Sequence, residues 1–226
     1  MSLLRDALDY LLGGPKVGGE DEERLRRWLA APPAALALPH ARARYVVVVP
    51  EAGSADGWRE RLVAIDAVAV EQGRVSLGAG FAVALQARRT GHAPAGGTGR
   101  TAMPAPSALL AFLEFVGKSP LVAFSVRAVR PPLERAVRRV LGVPFRHPWI
   151  DLQAVLAAHV PDACCTTLAG WLEDRGLADA RNPRAQADPV AVAQLLLVAL
   201  DAATRAGAAS GWDLVERADR EGAGNA

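Results

Sequence analysis

The sequence lacks the features that mark secreted, disulfide-bonded or membrane-spanning proteins. Its 226 residues include only two cysteines. Because Cys164 and Cys165 are adjacent, they cannot form a disulfide that links distant parts of the fold. A reducing cytoplasm is therefore expected. The longest uncharged apolar run, Val190–Leu200, is shorter than the roughly 18–20 residues that cross a bilayer. The N-terminus carries acidic residues and no cleavage-site pattern, which argues against a signal peptide. We therefore expect a cytoplasmic protein with no membrane partner.

Lysine is also scarce. Lys16 and Lys118 are the only lysines, so arginine supplies almost all of the positive charge, and the formal net charge is +2. Hydrophobic residues make up 51% of the chain and charged residues 22%. That is enough for a sizeable core and excludes a chain that is disordered throughout. Since a GC-rich coding bias also favours arginine, the composition by itself identifies no partner.

Residues 1–40 are expected to form a helical extension and a linker. Leucines recur at helical spacing over Leu3–Leu12, and a second, charged helix is predicted over Asp21–Ala30. The stretch 30–43 contains paired prolines, which deny the backbone a helix and indicate a linker. Because this extension is too short for a core of its own, we expect it to pack on the main domain or on a protein partner.

Residues 41–206 are expected to form the main domain, which begins with three strands. The β-branched run Tyr45–Val49 predicts a strand that is buried on both faces. Leu62–Val70 and Arg74–Gln86, separated by a short turn, extend this strand into a β-meander. Gly91–Pro106 shows no periodicity and is predicted to be a surface loop.

The second part of this domain alternates helices with short strands, and residues 207–226 are expected to be a C-terminal tail. The apolar spacing predicts strands at Leu121–Ser125 and Trp149–Asp151 and helices at Ser107–Val116, Pro131–Leu141, Leu152–His159, Thr166–Arg175 and Asp188–Ala206. Three strands followed by alternating helices and strands predict an α/β fold, with a mixed sheet flanked by helices.

Five phrases of the sequence follow one another in the order found in one enzyme family. They are RYVVVVPEAGS, LVAIDAVAVEQGRV, LLAFLEFVGKSPLVAFSV, VLGVPFRHPWIDLQAVLAAHVPD and RNPRAQADPVAVAQLLL. These phrases resemble the motif-bearing segments of the DEDD 3′–5′ exonucleases, a family that includes the proofreading epsilon subunit of bacterial DNA polymerase III. The resemblance extends over about Arg44 to Arg205. It implies a ribonuclease H-like fold with a mixed five-stranded sheet flanked by helices.

The chemistry of that family needs four carboxylates and a general base. Two divalent ions, Mg²⁺ or Mn²⁺, clamp the scissile phosphate and require oxygen ligands, while a histidine takes a proton from the attacking water. Matched to the family motifs, the first aspartate falls on Val49, the glutamate on Glu51 and the third carboxylate on Val129. The general-base histidine falls on Pro183, and the last aspartate falls on Asp188. By this match, two of the four carboxylates and the base are missing.

The resemblance therefore implies a degenerate, catalytically impaired homologue of the 3′–5′ exonucleases that acts by binding nucleic acid or a partner. Two alternatives stay open. The chain could be a weakly active, metal-dependent 3′–5′ exonuclease on single-stranded DNA or RNA. It could instead be a protein-interaction module with a vestigial cleft, held to a larger complex by its N-terminal helices. No cofactor is expected, and Mg²⁺ or Mn²⁺ is expected only with residual activity.

Each surviving acid has a structural alternative. Glu51 and Asp188 could share one metal ion. Alternatively, Glu51 is a solvated turn residue and Asp188 is the N-cap of a helix that begins at Pro189. Asp151 is expected to cap the helix that follows it. The four histidines have no metal-ligand spacing and are expected at the surface or in loops: His40, His92, His147 and His159.

Seven arginines are candidates for contacts with nucleic-acid phosphates. Five lie close together on a predicted helix or just before it, and two border the position of the family's active site: Arg127, Arg130, Arg135, Arg138 and Arg139, and then Arg181 and Arg184. On a helix, residues 135, 138 and 139 share a face that could contact the phosphates of a single strand. The alternative is a solvated helix face.

Overall fold

The computed structural model describes residues 16–55, 59–86, 100–160, 165–177 and 188–215. Its strands are β1 (Arg44–Ala55), β2 (Arg59–Glu71), β3 (Arg74–Gln86), β4 (Thr101–Pro104), β5 (Leu121–Ala123) and β6 (Trp149–Asp151). Its helices are α1 (Glu20–Ala30), α2 (Ala105–Val116), α3 (Val126–Leu141), α4 (Leu152–His159), α5 (Leu168–Asp174), α6 (Pro189–Arg205) and α7 (Gly211–Leu214). The strands form one mixed sheet in the order β4-β3-β2-β1-β5-β6.

The meander of β1, β2 and β3 agrees with the sequence prediction. Both strand pairs are antiparallel, and the chain turns from β2 to β3 at Gln72 and Gly73, whose φ angles are 52° and 71°. Two successive residues with positive φ are typical of a type I′ turn, which matches the twist of the flanking strands. Beyond the meander, β5 pairs in parallel with β1, and β6 in parallel with β5. The carboxyl ends of β1, β5 and β6 therefore lie at the same end of the sheet.

Alternate side chains of β1 enter two separate hydrophobic cores, one on each face of the sheet. Tyr45 and Val47 lie in the first core, which helices α4 to α7 cover. Val46 and Val48 lie in the second core, which α1, α2 and α3 cover. The strand is thus buried on both faces, as its continuous apolar run predicts. None of the helices in the described ranges is long and apolar enough to cross a membrane.

Among the described residues the sheet has six strands, where five were expected. The additional strand, β4, lies within Gly91–Pro106, which was predicted to be a surface loop. It has four residues, occupies the edge of the sheet and pairs in parallel with β3 over Val83–Gln86. Three of its four residues are exposed. A short, exposed edge strand has no apolar alternation that a sequence pattern could reveal, so the prediction of a loop was wrong here.

Helix α3 begins earlier than predicted. The prediction placed Pro131 in the first turn, but the helix starts at Val126 and contains Pro131 and Pro132. Asp151 explains this start, because its Oδ2 accepts a hydrogen bond from Val126 N at 2.9 Å. Its Oδ1 accepts another from Ala154 N at 3.0 Å, which is the predicted cap of α4. One carboxylate therefore caps two helices, and the long-range cap starts α3 ahead of its prolines.

Helix α1 packs on the main domain. Trp28 is buried in the second core, and its Nε1 donates a hydrogen bond to Gly117 O at 2.7 Å. Arg24 donates two hydrogen bonds to the carboxylate of Glu114, which raise the pKa of Arg24 and lower the pKa of Glu114. The other predicted N-terminal helix, Leu3–Leu12, lies outside the described residues.

The stretch 30–43, predicted to be a linker, is packed against the domain. Leu36 is buried in the first core, and its carbonyl accepts a hydrogen bond from Trp212 N at 2.9 Å. His40 is buried as well, with its Nδ1 2.6 Å from Tyr45 Oη. Burial lowers the pKa of His40. The prolines do prevent a helix, but the apolar residues between them return the chain to the core.

A second histidine, in the loop that precedes β6, is buried as well. His147 is 3% exposed, stacks on Phe145 with ring centroids 5.1 Å apart, and lies 6.1 Å from Trp28 by the same measure. His40 and His147 both lie in loops, as the prediction of a surface or loop position allows, but aromatic neighbours shield both rings from water. His159, at the end of α4, is half-buried, and His92 lies outside the described residues.

Candidate functional site

The two residues matched to the family's first motif, Val49 and Glu51, lie where β1 reaches the carboxyl end of the parallel strands. Val49 and Glu51 project to the same face of the sheet, because they are two residues apart on β1. On β2, Val49 is paired with Asp66 and Glu51 with Ala64. A β-bulge follows at once, with Val63 as the additional residue of β2. Glu51 is therefore a strand residue, and the expectation that it lies in a turn was wrong.

An aspartate lies directly across from the position matched to the family's first aspartate. Val49 packs against the first core, and its partner Asp66 is only 9% exposed. Directly opposed residues of an antiparallel pair project to the same face, so Asp66 shares the face of Val49 and Glu51. Burying an unpaired carboxylate is costly, and Asp66 therefore requires a positive partner.

That partner is Arg100, which directly precedes β4. The pairing of β4 with β3 places Arg100 beside Ala82, the residue opposite Asp66. Arg100 Nε donates to Asp66 Oδ1 at 2.9 Å and Oδ2 at 3.1 Å, and Nη2 also donates to Oδ2. Nη1 donates to Glu51 Oε2 at 2.5 Å. We call these residues the Arg100 cluster: Arg100, Asp66 and Glu51.

The electrostatics of the Arg100 cluster favour a permanently charged arginine. Hydrogen bonding to Asp66, and secondly to Glu51, raises the pKa of Arg100 against the effect of burial, which lowers it. The side chains of Arg100 and Asp66 are 17% and 12% exposed, whereas that of Glu51 is 56% exposed. The pair with Asp66 is therefore the shielded one, and the pair with Glu51 is screened by solvent.

The other motif positions are engaged elsewhere. Val129 lies in α3 and is partly buried against the second core. Asp188 is the N-cap of α6, as its structural alternative predicted: its Oδ1 accepts a hydrogen bond from Val190 N at 2.9 Å, and Pro189 opens the helix. Pro183 lies outside the described residues.

Two-metal chemistry, which the family resemblance implies, needs several carboxylates that converge on one point. Within the ranges that the structure describes, no group of three or more His, Cys, Asp or Glu side chains could hold a metal ion. Val49 and Val129 offer no ligand oxygen. The Glu51 carboxylate is bonded to Arg100, and the Asp188 carboxylate is bonded to its own helix. The described donors therefore do not fit a pair of divalent ions.

The basic residues of α3 include a group that lines a groove. Arg135 and Arg138 lie on one wall of a groove of about 390 Å³, and Pro144 and Phe145 lie on the segment that leads to β6. Arg130 also lines it and forms an ion pair with Glu134 at 2.7 Å. We call this surface the arginine groove after its four basic residues: Arg130, Arg135, Arg138 and Arg146.

The predicted basic face is thus brought together only in part. Arg135 and Arg138 share the groove, whereas Arg127 and Arg139 are exposed and are not among its lining residues. The carbonyl of Arg139 lies instead beside Lys16, whose Nζ donates to it at 3.4 Å. The two arginines predicted to border the old active site lie outside the described residues: Arg181 and Arg184.

Three residues of these surfaces were missed from the sequence. Asp66 carried a local signal, because an acid in the middle of the apolar strand LVAIDAVAV needs a buried counter-charge. Arg100 lay in the stretch predicted to be a loop. The sequence pattern therefore did not indicate that Arg100 contacts β2, which lies two strands away from β4 in the sheet. Arg146 follows α3 in sequence but joins the groove only because the chain folds back towards β6.

Comparison with solved structures shows what this architecture is similar to. The nuclease domain of 3′hExo, described as a DEDDh family member bound to rAMP, matches with a TM-score of 0.55 and 14% identity, over 81% of this chain and 99% of that chain. Cell-death related nuclease 4 matches with a TM-score of 0.52 and 13% identity, over 76% and 68% of the two chains. A 3′-exonuclease, in a structure described as 3′-end specific recognition of histone mRNA stem-loop, matches with a TM-score of 0.51 and 14% identity, over 75% and 84%.

This chain shares its fold with these solved nucleases. The ribonuclease H-like architecture predicted from the five phrases is thereby confirmed, with one more strand in the described residues than expected. No protein-family model and no curated protein matches the sequence. At 13–14% identity the likeness is one of fold, and a shared fold alone does not determine the chemistry of the site.

Proposed function

We propose that this exonuclease-like chain is a degenerate, catalytically impaired homologue of the 3′–5′ exonucleases that acts by binding single-stranded nucleic acid. The arginine groove carries the proposal. Arg135, Arg138 and Arg146 are exposed, and Glu134 is the one acid among the described residues that line the groove. Guanidinium groups bind phosphate oxygens through paired hydrogen bonds, and their excess over acids in one concave surface favours a phosphate backbone.

The similar structures support nucleic acid as the ligand. One is described as recognising a histone mRNA stem-loop and another as bound to rAMP. Catalytic impairment is supported by Val49 and Val129, which stand where the family motifs have carboxylates. Removing a single metal ligand from a two-metal site already costs orders of magnitude in rate.

One observation favours a second candidate function, a weak metal-dependent 3′–5′ exonuclease. Asp66 lies across from Val49 on the same face of the sheet, where its carboxylate is a candidate replacement for the missing first aspartate. In that case Glu51 and Asp66 would both be essential for cleavage.

The experiment measures binding and cleavage with the same probes. Single-stranded DNA and RNA, labelled at the 3′ end, are titrated with the full chain, and the anisotropy is followed over a series of salt concentrations. The test variant is Arg135→Gln/Arg138→Gln. The matched control is Arg26→Gln/Arg205→Gln, which removes the same charge from two exposed arginines on α1 and α6. Cleavage is measured in Mg²⁺ and in Mn²⁺, beside Glu51→Gln and Asp66→Asn.

Binding through the groove predicts that the test variant loses affinity and that its salt dependence falls. Each lost phosphate contact lowers the slope of log K against log salt by about 0.7. The control should bind like the wild type. Equal losses in both variants would contradict a site in the groove, and no binding by the wild type would contradict the proposal. Cleavage abolished by Glu51→Gln and by Asp66→Asn would establish the second candidate instead.

A further inference from the structure

The Arg100 cluster holds two carboxylates at the place where the family positions its first acidic motif. Glu51 is the residue matched to the motif's glutamate, and Asp66 is paired with Val49, the residue matched to its first aspartate. Both carboxylates bond the guanidinium of Arg100. The two acids thus lie on one face of the adjacent strands β1 and β2, and both bind the same cation.

A shared cation is required by electrostatics at this position. Two carboxylates that are both within hydrogen-bond distance of one guanidinium would repel each other without it, and Asp66 is nearly buried. In a metal-dependent enzyme, a divalent ion supplies that compensation. Here the charge comes from a side chain, and its hydrogen bonds to Asp66 Oδ1 and Oδ2 occupy oxygens that a metal ion would need.

We propose that Arg100 replaces the divalent cation of the metal-dependent exonucleases as the built-in counter-charge of Glu51 and Asp66. A metal ion could enter only by displacing a guanidinium that is 17% exposed and would then remain close to it, with unfavourable repulsion between the two cations. The inference rests on the proposed catalytic impairment. It is independent of nucleic-acid binding, so a metal titration without nucleic acid tests it separately.

The experiment compares the wild-type chain with Arg100→Gln, Arg100→Lys and Arg100→Gln/Asp66→Asn. Arg61→Gln is the matched control, because Arg61 is an exposed arginine of the same strand as Asp66. Binding of Mn²⁺ alone is measured by titration calorimetry, and melting temperatures are recorded with and without Mn²⁺. Cleavage is not a readout here.

The wild type, Arg100→Lys and Arg61→Gln should bind Mn²⁺ more weakly than about 1 mM. Arg100→Gln should bind it at least about tenfold more tightly, since two carboxylates then lack a counter-charge. Its melting temperature should fall by roughly 5 °C and recover in part with Mn²⁺. The additional Asp66→Asn change should abolish the gain in Mn²⁺ affinity.

Two results would overturn the inference. Tight Mn²⁺ binding by the wild type, even if Arg100→Gln does not fold, would show that the arginine does not exclude the metal. A stable Arg100→Gln variant that gains no Mn²⁺ affinity would show that Arg100 is only a structural ion-pair partner. If the inference fails in either way while binding through the arginine groove persists, the proposed nucleic-acid binding stands.

Discussion

Lowering the pH from 7 to 5 should destabilise the folded chain through His147. The ring is 3% exposed and stacks on Phe145, and its nitrogens have no hydrogen-bond partner within the part of the chain that the structure describes. Burial, together with the positive charges of Lys118 and Arg130, lowers the pKa of His147 to about 3. The folded chain therefore keeps this ring neutral at pH values where the unfolded chain binds a proton.

The magnitude follows from the two pKa values. The unfolded pKa is 6.5 and the folded pKa is lower, so the contribution of His147 to stability is complete above pH 6.5 and is lost as the pH falls towards 3. The slope approaches about 1.4 kcal/mol per pH unit, which amounts to about 2 kcal/mol between pH 7 and pH 5. For a chain of this length, that loss lowers the melting temperature by roughly 4–8 °C.

Urea unfolding at pH 7, 6 and 5 would measure this loss, with His147→Phe as the comparison. Phenylalanine keeps an aromatic ring beside Phe145 and removes the two nitrogens. His40, whose pKa burial also lowers, is present in both proteins, so its contribution cancels in the difference. The variant should lose about 2 kcal/mol less than the wild type between pH 7 and pH 5. Parallel pH dependences would refute the argument that His147 is held neutral by burial.

Two further substitutions test how the helices are held. Asp151→Ala should lower the free energy of unfolding by roughly 2 kcal/mol, because one carboxylate caps both α3 and α4. Thermal melting should show a smaller loss for Asp151→Asn, and an unchanged melting curve of Asp151→Ala would contradict the shared cap. Trp28→Ala should cost about 3–5 kcal/mol in urea unfolding, because a buried ring and its hydrogen bond to Gly117 are lost. Trp212→Ala, at a position 43% exposed, should cost less than half as much, and equal losses would mean that α1 is not part of the core.

Much of the architecture could be predicted because it depends on local chemistry. The β-branched run of β1 can be satisfied only by burial on both faces, and both cores receive its side chains. The turn at Gln72 and Gly73 and the start of α6 at Asp188 and Pro189 are set by residues that adjoin one another. Such features are contained in a few neighbouring residues.

Features that depend on distant partners could not be predicted in this way. The start of α3 looked unfavourable because Pro131 and Pro132 follow it, yet its first amide bonds a carboxylate 25 residues further along the chain. Strand β4 forms because β3 offers an unpaired edge, not because its own four residues favour a strand. In both cases the missing information lies in another element.

The Arg100 cluster is the feature that depends most on distant partners, because its three side chains meet only if the strands pair in the correct register. Asp66 must face Val49 on one side and Ala82 on the other, and β4 must pair with β3 so that Arg100 lies beside Ala82. A slip of one residue in any of these pairings would turn a side chain to the opposite face of the sheet. Charge balance at this end of the sheet is therefore a property of the assembled strands.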